Sequence, residues 1–266
     1  MRLNKFISHN SRYSRREADR LISSGRVNIE KKKANLSSIL KEGDRVFIDG
    51  KQLYQKKENQ FTAIIYNKPK GELVSKKDDR GRKTIYASLG AQFSHFLPVG
   101  RLDYASEGLL ILSDSKEVVS KLMQSKLERI YLLKLNGSIT QQMQEAMQNG
   151  LELQDASLGG HHKSLITKMN FAPFVDFVII KNTRNYSKIK LCITEGKNRE
   201  LRRFFAHFGR EVLDLKRITY GFISLNALPT GKTRFLNQEE YRALHQFLNQ
   251  TKEEYGFSKN LSDPKA

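Results

Sequence analysis

The segment GRLDYASEGLLILSDS, residues 100–115, constrains the fold of this chain more strongly than any other stretch. Its four consecutive apolar residues, 109–112, predict a buried strand, and the acidic Asp103 stands shortly before that strand. Gly100 and Gly108 flank the aspartate and allow something large to approach the backbone closely. A carboxylate at a strand end is more often a structural partner of an arginine than a catalytic group, so both interpretations of Asp103 stay open on the residues alone.

Strand and helix patterns follow each other irregularly along the rest of the chain. The patterns predict strands at 62–66, 130–135 and 189–193, and helices at 116–127, at 198–208 and from an N-cap at Ser138 to Gly150. Because these elements do not follow a regular βαβ rhythm, the sequence favours an α+β fold over a doubly wound parallel sheet.

The helix predicted at 198–208 places its arginines unequally around the helix axis. Four apolar residues at i, i+3, i+4 and i+7 form its buried stripe, beginning at Leu201. At about 100° per residue, Arg199 and Arg203 project away from that stripe, whereas Arg202 stands at its edge. An arginine at the edge of a stripe is half-buried and can lean into a neighbouring pocket.

Charge points to a polyanionic partner. The chain carries 47 Lys and Arg against 28 Asp and Glu, a formal net charge of +19, and nucleic acid is the polyanion that such an excess most often serves. The first 60 residues hold 15 basic against 7 acidic residues. In that segment Ser14 and Glu17 form a capping box for a helix closed near Gly25, and Asp49-Gly50 predicts a hairpin.

Polar stretches divide the chain into predicted domains. Residues 54–60 read as a linker and residues beyond 250 as a tail, which gives units at 1–53 and 61–250 and a tail at 251–266. The chain shows neither an apolar window of about 18 residues nor a secretory signal pattern. A single cysteine, Cys192, excludes intramolecular disulfides and four-cysteine zinc sites, and the cytoplasm is the expected location.

Three other motifs resemble functional sites, but a structural role explains each of them better. The segment LPTGKT, residues 228–233, lacks the first glycine of a phosphate-binding loop and predicts a turn between late strands. His161 and His162 have no third metal ligand at a suitable spacing, and Cys192 alternates within an apolar strand as a small buried residue. We therefore expect no metal and no nucleotide cofactor.

Four segments resemble the motifs of one family, and a fifth resembles a separate RNA-binding motif. The segment GRLDYASEGLLILSDS resembles the signature of the pseudouridine synthases that modify ribosomal RNA, of the RsuA/RluB type. The segments IIYNKPKGELVSKKDDRGRKTI, ERIYLLKLNG and TEGKNRELRRFFAHFG are similar to further motifs of that family, in the family's order. The N-terminal RLNKFISHNSRYSRREADRLISSGRVNIE resembles the alpha-L RNA-binding motif. NRELRR and RITYGFISLNALPTG look most like the B-type enzymes, which act on RNA of the large subunit.

The resemblance implies a fold and a reaction. The fold would be a small N-terminal α/β RNA-binding module followed by a catalytic domain with a mixed, largely antiparallel sheet. The reaction would turn a uridine of ribosomal RNA into pseudouridine without a cofactor, and the likeness to the B-type enzymes favours the large subunit. By the same resemblance, Asp103 is the essential carboxylate, Tyr131 stacks on the uracil and helps to remove the C5 proton, and Arg202 keeps the carboxylate ionised.

RNA contacts are expected on both predicted domains. The target uridine has to be flipped out of its helix, and phosphate contacts offset the cost. The candidates for substrate binding are Lys68, Lys70, Arg101, Asn198, Arg199 and Arg203. The candidates for holding a flanking RNA stem through shape and phosphate are Arg2, Lys5, Arg15, Arg16 and Arg20. The expected partner is ribosomal RNA or a pre-ribosomal particle, with no membrane, and the protein is expected to be a monomer.

Two other functions are compatible with the same residues. A ribosome-assembly factor would use these basic surfaces without chemistry, and an RNA N-glycosylase would use Asp103 and Glu107 as a pair of carboxylates. The three functions differ in their product, which is pseudouridine, none, or an abasic site.

Overall fold

The computed structural model describes residues 1–11, 13–41, 43–54, 61–161 and 164–257, of which 251–257 are described by their backbone alone. Most of the predicted linker, the end of the predicted tail and His162 lie outside these residues. The chain forms two compact units. The first unit comprises Met1–Phe61 and Ser115–Glu117, and the second comprises Thr62–Asp114 and Val118–Ala266. No described helix combines the length and the apolar character that crossing a membrane requires.

The first unit packs two helices on a small antiparallel sheet. Its elements are α1 (Leu3–Asn10), α2 (Arg15–Ser23), β1 (Val27–Ile29), β2 (Lys32–Lys33), β3 (Val46–Ile48) and β4 (Lys51–Leu53), and the strand order is β2-β1-β3-β4. The capping box at the start of α2 is confirmed, since the Ser14 side chain accepts from the Glu17 amide and Glu17 accepts from the Ser14 amide. The hairpin between β3 and β4 is also confirmed, with positive φ at Asp49 and Gly50.

The second unit is built on one large sheet. Its strands are β5 (Ala63–Lys68), β6 (Leu97–Pro98), β7 (Glu107–Ser113), β8 (Arg129–Asn136), β9 (Leu151–Leu153), β10 (Met169–Phe171), β11 (Asp176–Asn182), β12 (Tyr186–Ile193), β13 (Val212–Tyr220), β14 (Ile223–Ser224) and β15 (Thr233–Phe235). Its helices are α3 (Ile85–Leu89), α4 (Lys116–Gln124), α5 (Gln141–Asn149), α6 (Glu200–His207) and α7 (Gln238–Phe257), with a 3-10 turn at Ala91–Phe93; the first two residues of α4 belong to the first unit.

The order of the main strands is β11-β12-β8-β13-β7-β5-β15, with β14 paired to β13 and β6 to β7. Among the described strands of this sheet, only β13 and β7 pair in parallel. The predicted α+β class and the mixed, largely antiparallel sheet are confirmed. β9 and β10 form a separate antiparallel pair.

Sequence alternation decides which side of the sheet is buried. In β8 the residues Tyr131, Leu133 and Leu135 are buried, and they share one apolar core with Ile189 of β12 and Phe204 of α6. The run 109–112 in β7 is buried on both faces, as its unbroken apolar sequence predicts. Cys192 is buried in β12, where burial raises the pKa of its thiol to about 11.

Two predicted helix starts are wrong. Helix α6 begins at Glu200 instead of residue 198, because Arg199 adopts a left-handed backbone conformation with φ of 51° and stands at the N-cap. Helix α5 is capped by Thr140 instead of Ser138, with the Thr140 side chain accepting from the Met143 amide. Asn182 of β11 binds both the amide and the carbonyl of Ile139 at 2.8 and 2.9 Å, which holds that residue outside the helix. Gly150 closes α5 as predicted, with φ of 83°.

Candidate functional site

Asp103 lies in the loop between β6 and β7, at the rim of a cleft. The preceding Leu102 is buried in the core, and the Ser106 amide donates to the Asp103 carbonyl at 3.0 Å, so the loop is a hydrogen-bonded turn. The side chain of Asp103 is 33% exposed. A carboxylate that is anchored through its backbone and half-open to solvent can meet a substrate without first breaking the core.

Two guanidinium groups approach this carboxylate on the same oxygen. Arg199 donates from Nη1 to Oδ2 at 3.2 Å, and the Arg202 Nε lies 3.5 Å from the same atom. The sequence predicted Arg202 in this place and left Arg199 among the phosphate contacts. The left-handed backbone at Arg199 turns its side chain toward the loop, where its Nε also donates to the Gly159 carbonyl at 2.7 Å.

Arg202 is fixed by the groups around it. Its Nη1 donates to the Val212 carbonyl at 2.8 Å, and its Nη2 donates to the Ser106 hydroxyl at 3.2 Å. Burial, together with the neighbouring Arg199, lowers the pKa of Arg202, although an arginine remains protonated at neutral pH. The Arg202 guanidinium is therefore a cation in a fixed position beside Asp103.

The Lys68 side chain supports the Asp103 loop through hydrogen bonds and does not reach solvent. Its ammonium group donates to the carbonyl oxygens of Pro69 at 2.9 Å, Asp103 at 3.2 Å and Ser106 at 2.9 Å. The side chain is fully buried, and this burial lowers the pKa of Lys68 to about 8. The prediction that Lys68 contacts phosphate is therefore wrong, because strand β5 runs two residues further than expected and carries Lys68 into the core.

The prediction that Arg203 contacts phosphate is also wrong. The prediction placed it on the solvent side of α6, but its side chain is fully buried. It donates to the Ala156 carbonyl, to the Ser164 hydroxyl at 2.7 Å and to the Asn198 carbonyl at 3.1 Å. The segment between β9 and β10 covers this side of the helix, so Arg203 satisfies loop carbonyls and cannot contact phosphate.

The remaining candidates for substrate binding are exposed. Arg101 lines the cleft beside Asp103, and Asn198 lies in the exposed turn before α6. Lys70 forms an ion pair with Asp214 of β13. In the first unit, Arg2, Lys5, Arg15, Arg16 and Arg20 are all exposed.

Gly108 has a role that the sequence did not reveal. A Cβ atom there would lie 2.2 Å from the Arg217 carbonyl oxygen, and φ at Gly108 is 102°. The glycine thus allows β13 to approach β7 at their parallel contact, and the group that comes close is this chain's own backbone. Gly100 has no such neighbour within 4 Å and only a positive φ of 72°.

The cleft is lined by Asp103, Tyr131, Arg202, Arg101 and Arg199, among others. Tyr131 is 7% exposed and points from β8 to the buried side of the sheet. Sequence reasoning missed Arg129 and Arg217, two buried arginines of the lining whose guanidinium carbons lie 4.7 and 5.3 Å from the centre of the Tyr220 ring. The spacing of Arg129 and Tyr131, two residues apart on one strand, was the available signal.

These two arginines are held by hydrogen bonds. Arg129 donates to the Thr194 carbonyl at 2.6 Å and to the Tyr220 hydroxyl at 3.0 Å, and Arg217 donates to the Leu109 carbonyl at 2.8 Å. The buried Glu200 accepts from the Lys197 amide at 3.0 Å, and burial raises the pKa of its carboxyl group. Among its described lining residues the cleft therefore offers one accessible carboxylate, several arginines and a buried aromatic side chain, which suits an anionic substrate with a planar group.

Comparisons with known proteins show which family this chain resembles. A family model described as RNA pseudouridylate synthase matches residues 62–207, and an S4 domain model matches residues 1–46. A Helicobacter pylori (strain ATCC 700392 / 26695) protein named Uncharacterized RNA pseudouridine synthase is 54% identical over 248 residues, which cover 93% of this chain and 95% of that protein. The Ribosomal large subunit pseudouridine synthase B of Bacillus subtilis (strain 168) is 31% identical over 91% of this chain and 95% of its own length.

A third relative and one solved structure complete the comparison. The Dual-specificity RNA pseudouridine synthase RluF of Escherichia coli (strain K12) is 32% identical over 96% of this chain and 81% of its own length. A crystal structure of a pseudouridylate synthase matches with a TM-score of 0.60 at 24% identity, covering 92% of this chain and 99% of its own chain. That structure supports the fold.

Proposed function

Because the chain belongs to the RNA pseudouridylate synthase family and carries an S4 domain, we propose that it converts a uridine of ribosomal RNA, in the large subunit, to pseudouridine. The observation that carries the proposal is the half-exposed carboxylate of Asp103, held by Arg199 and Arg202 at the rim of the cleft that Tyr131 lines. The name of the Bacillus subtilis relative supports the choice of subunit.

The reaction needs only groups that this cleft contains. It breaks the bond between N1 and C1′, joins C1′ to C5 of the same base, removes the C5 proton and returns a proton to N1. The Asp103 carboxylate acts on the nucleoside. Both arginines contact Oδ2, and among the described residues Oδ1 has no hydrogen-bond partner, so Oδ1 faces the substrate.

Tyr131 and Arg202 complete the proposed chemistry. The Tyr131 ring stacks on the uracil and assists removal of the C5 proton, which its place in the cleft allows. Arg202 places its positive charge 3.5 Å from Asp103 Oδ2 and, since it also binds Val212 and Ser106, holds the carboxylate in one position.

RNA binding supplies the free energy for flipping. Extruding the target nucleotide costs a few kcal/mol, and phosphate contacts offset it. We assign these contacts to the exposed Lys70, Arg101 and Asn198, whereas Arg199 is engaged with Asp103 and Gly159. In the S4 domain, Arg2, Lys5, Arg15, Arg16 and Arg20 hold a flanking stem by its backbone.

The proposal also covers the domain boundaries, oligomeric state, location and substrate form of the protein. We propose domains at 1–53 and 61–250, a monomer in the cytoplasm, and ribosomal RNA or a pre-ribosomal particle as substrate. Size-exclusion chromatography with light scattering tests the monomer, and activity on free RNA against isolated particles separates the two substrates.

The decisive experiment uses ribosomal RNA from cells that lack the protein. Wild type, Asp103→Asn and the control Asp176→Asn, an exposed aspartate outside the cleft, are each incubated with this RNA, and pseudouridine is mapped. We expect product with wild type and the control, none with Asp103→Asn, and RNA affinity of Asp103→Asn within about twofold of wild type, since phosphate contacts remain. Binding without product from wild type would support an assembly factor, and abasic sites would support a glycosylase.

A further inference from the structure

Four lysines lie together on the outer face of the sheet in the second unit. They are Lys134 of β8, Lys181 of β11, and Lys188 and Lys190 of β12, and we call them the lysine patch. Lys181, Lys188 and Lys190 are exposed, and Lys134 is half-buried. The residues that alternate with them, such as Leu133 and Ile189, are buried in the core on the other face.

The strand register brings these lysines into direct opposition. Lys181 pairs with Lys188 across β11 and β12, and Lys188 pairs with Lys134 across β12 and β8. Lys190 follows two residues after Lys188 and therefore points to the same face. Like charges placed directly opposite each other in a sheet are destabilising, so this arrangement is not explained by folding alone.

The charges of the lysine patch are not compensated nearby. Within the described part of the chain, none of the four ammonium groups lies within 4.0 Å of a carboxylate. Asp214, the acid opposite Lys134 in the register, is engaged by Lys70. The Tyr186 ring makes cation–π contacts with two of the lysines, with Lys181 Nζ at 4.8 Å and Lys134 Nζ at 5.2 Å from its centre.

The lysine patch and the cleft lie on opposite faces of one sheet. Tyr131 and Lys134 are three residues apart on β8, and successive residues of a strand point to opposite faces. A nucleotide seated against Tyr131 and an anion on the lysine patch therefore belong to different segments of a ligand. A folded ribosomal RNA has many helices and can supply both.

We propose that the lysine patch binds the phosphate backbone of a second RNA helix, remote in space from the target uridine. The inference rests on the proposed function only in taking RNA as the substrate. Uncompensated, opposed cations on a flat face match a polyanion, and lysine tips contact phosphates without reading bases. The patch thereby selects large folded RNA over short hairpins and supplies affinity without sequence preference.

The test removes two exposed charges at a time. Lys188→Gln with Lys190→Gln is compared with the control Lys168→Gln with Arg242→Gln, two exposed cations elsewhere in the second unit. The dissociation constant for unmodified large-subunit RNA is measured across a series of KCl concentrations. Relative to the control, we expect the slope of log affinity against log salt to fall by about 1.5, and affinity at 0.1 M salt to fall at least about tenfold.

Two further measurements separate the outcomes. Affinity for a short hairpin carrying the mapped uridine should be unchanged, and the melting temperature of the patch variant should not fall below that of the control, since a repulsion is relieved. A salt slope equal to that of the control overturns the proposal. The exposed Val178 and Ile180 beside the patch suit a protein partner, which would leave RNA affinity unchanged and equally overturn it.

Pseudouridine mapping keeps this inference apart from the proposed function. If wild type forms no pseudouridine and the patch variant still loses RNA affinity, the proposed function fails and the lysine patch stands. If wild type forms pseudouridine and the two double variants bind RNA alike, the lysine patch fails alone.

Discussion

Lys68→Met tests whether a buried ammonium group carries the loop that presents Asp103. Met matches the unbranched shape of the lysine and removes the donor, so the carbonyls of Pro69, Asp103 and Ser106 lose their common partner. The proposed chemistry depends on where Asp103 stands, and a displacement of about 1 Å can cost about 100-fold in rate. We expect turnover to fall far more than RNA affinity in this variant.

The pH dependence of stability gives a second, independent readout. The pKa of Lys68 is about 8 in the folded protein and near 10.5 when unfolded. Between these values the unfolded chain binds more protons, so the free energy of unfolding rises with pH. This contribution is fully present above pH 10.5 and is lost as the pH falls through 8. From pH 7.5 to 9.5 it amounts to about 2 kcal/mol, at 1.36 kcal/mol per pKa unit.

The assay is urea unfolding of wild type, Lys68→Met and the exposed control Lys168→Met at pH 7.5 and 9.5. Other groups titrate equally in all three proteins, so the difference between them isolates Lys68. We expect wild type and the control to gain about 2 kcal/mol relative to Lys68→Met over this range. Parallel changes in all three would refute the buried cation, and with it the support assigned to the Asp103 loop.

Other predictions concern single contacts. Gly108→Ala should cost more than about 2 kcal/mol in urea unfolding, because its Cβ would meet the Arg217 carbonyl at 2.2 Å; a cost below 1 kcal/mol would contradict that packing. Thr140→Ala should cost about 1 kcal/mol and Ser138→Ala nearly nothing, and the reverse order would restore the cap predicted from sequence. Tyr220→Phe should cost about 1–3 kcal/mol of unfolding free energy, since the hydroxyl bonds both Leu122 and Arg129; an unchanged melting temperature would argue against it. Arg202→Lys should lower turnover at constant RNA affinity, because Nη1, Nη2 and Nε reach Val212, Ser106 and Asp103 from three separate positions that a single ammonium nitrogen cannot occupy; loss of affinity instead would make Arg202 a phosphate contact.

Local patterns predicted the elements that depend on neighbouring residues. The capping box at Ser14, the turn at Asp49-Gly50 and the alternating strand 189–193 all appear in the structure. The cap of α5 was misplaced by two residues, because its position depends on Asn182 from a distant strand. A local sequence pattern therefore predicts a helix start only when residues close in sequence determine it.

The candidate site shows the same division. Asp103 and Arg202 were found from sequence through the family resemblance, and the position of Arg202 at the edge of an apolar stripe agreed with it. Arg199 was assigned to phosphate because helical geometry was extended through it, and only the left-handed backbone there brings it to Asp103. Arg129 and Arg217 escaped notice since a buried arginine resembles a surface arginine in sequence.

The sequence by itself determined the fold class, the family and the acid at the site, because periodicity, turn residues and motifs can be read directly from the order of the residues. The tertiary structure alone decided which cations are accessible. Lys68 and Arg203 are buried because a strand extends by two residues and a loop covers a helix face. Lys134, Lys181, Lys188 and Lys190 meet because three strands align in register. Burial and register depend on residues far apart in the chain, so charge in a sequence does not reveal where that charge can act.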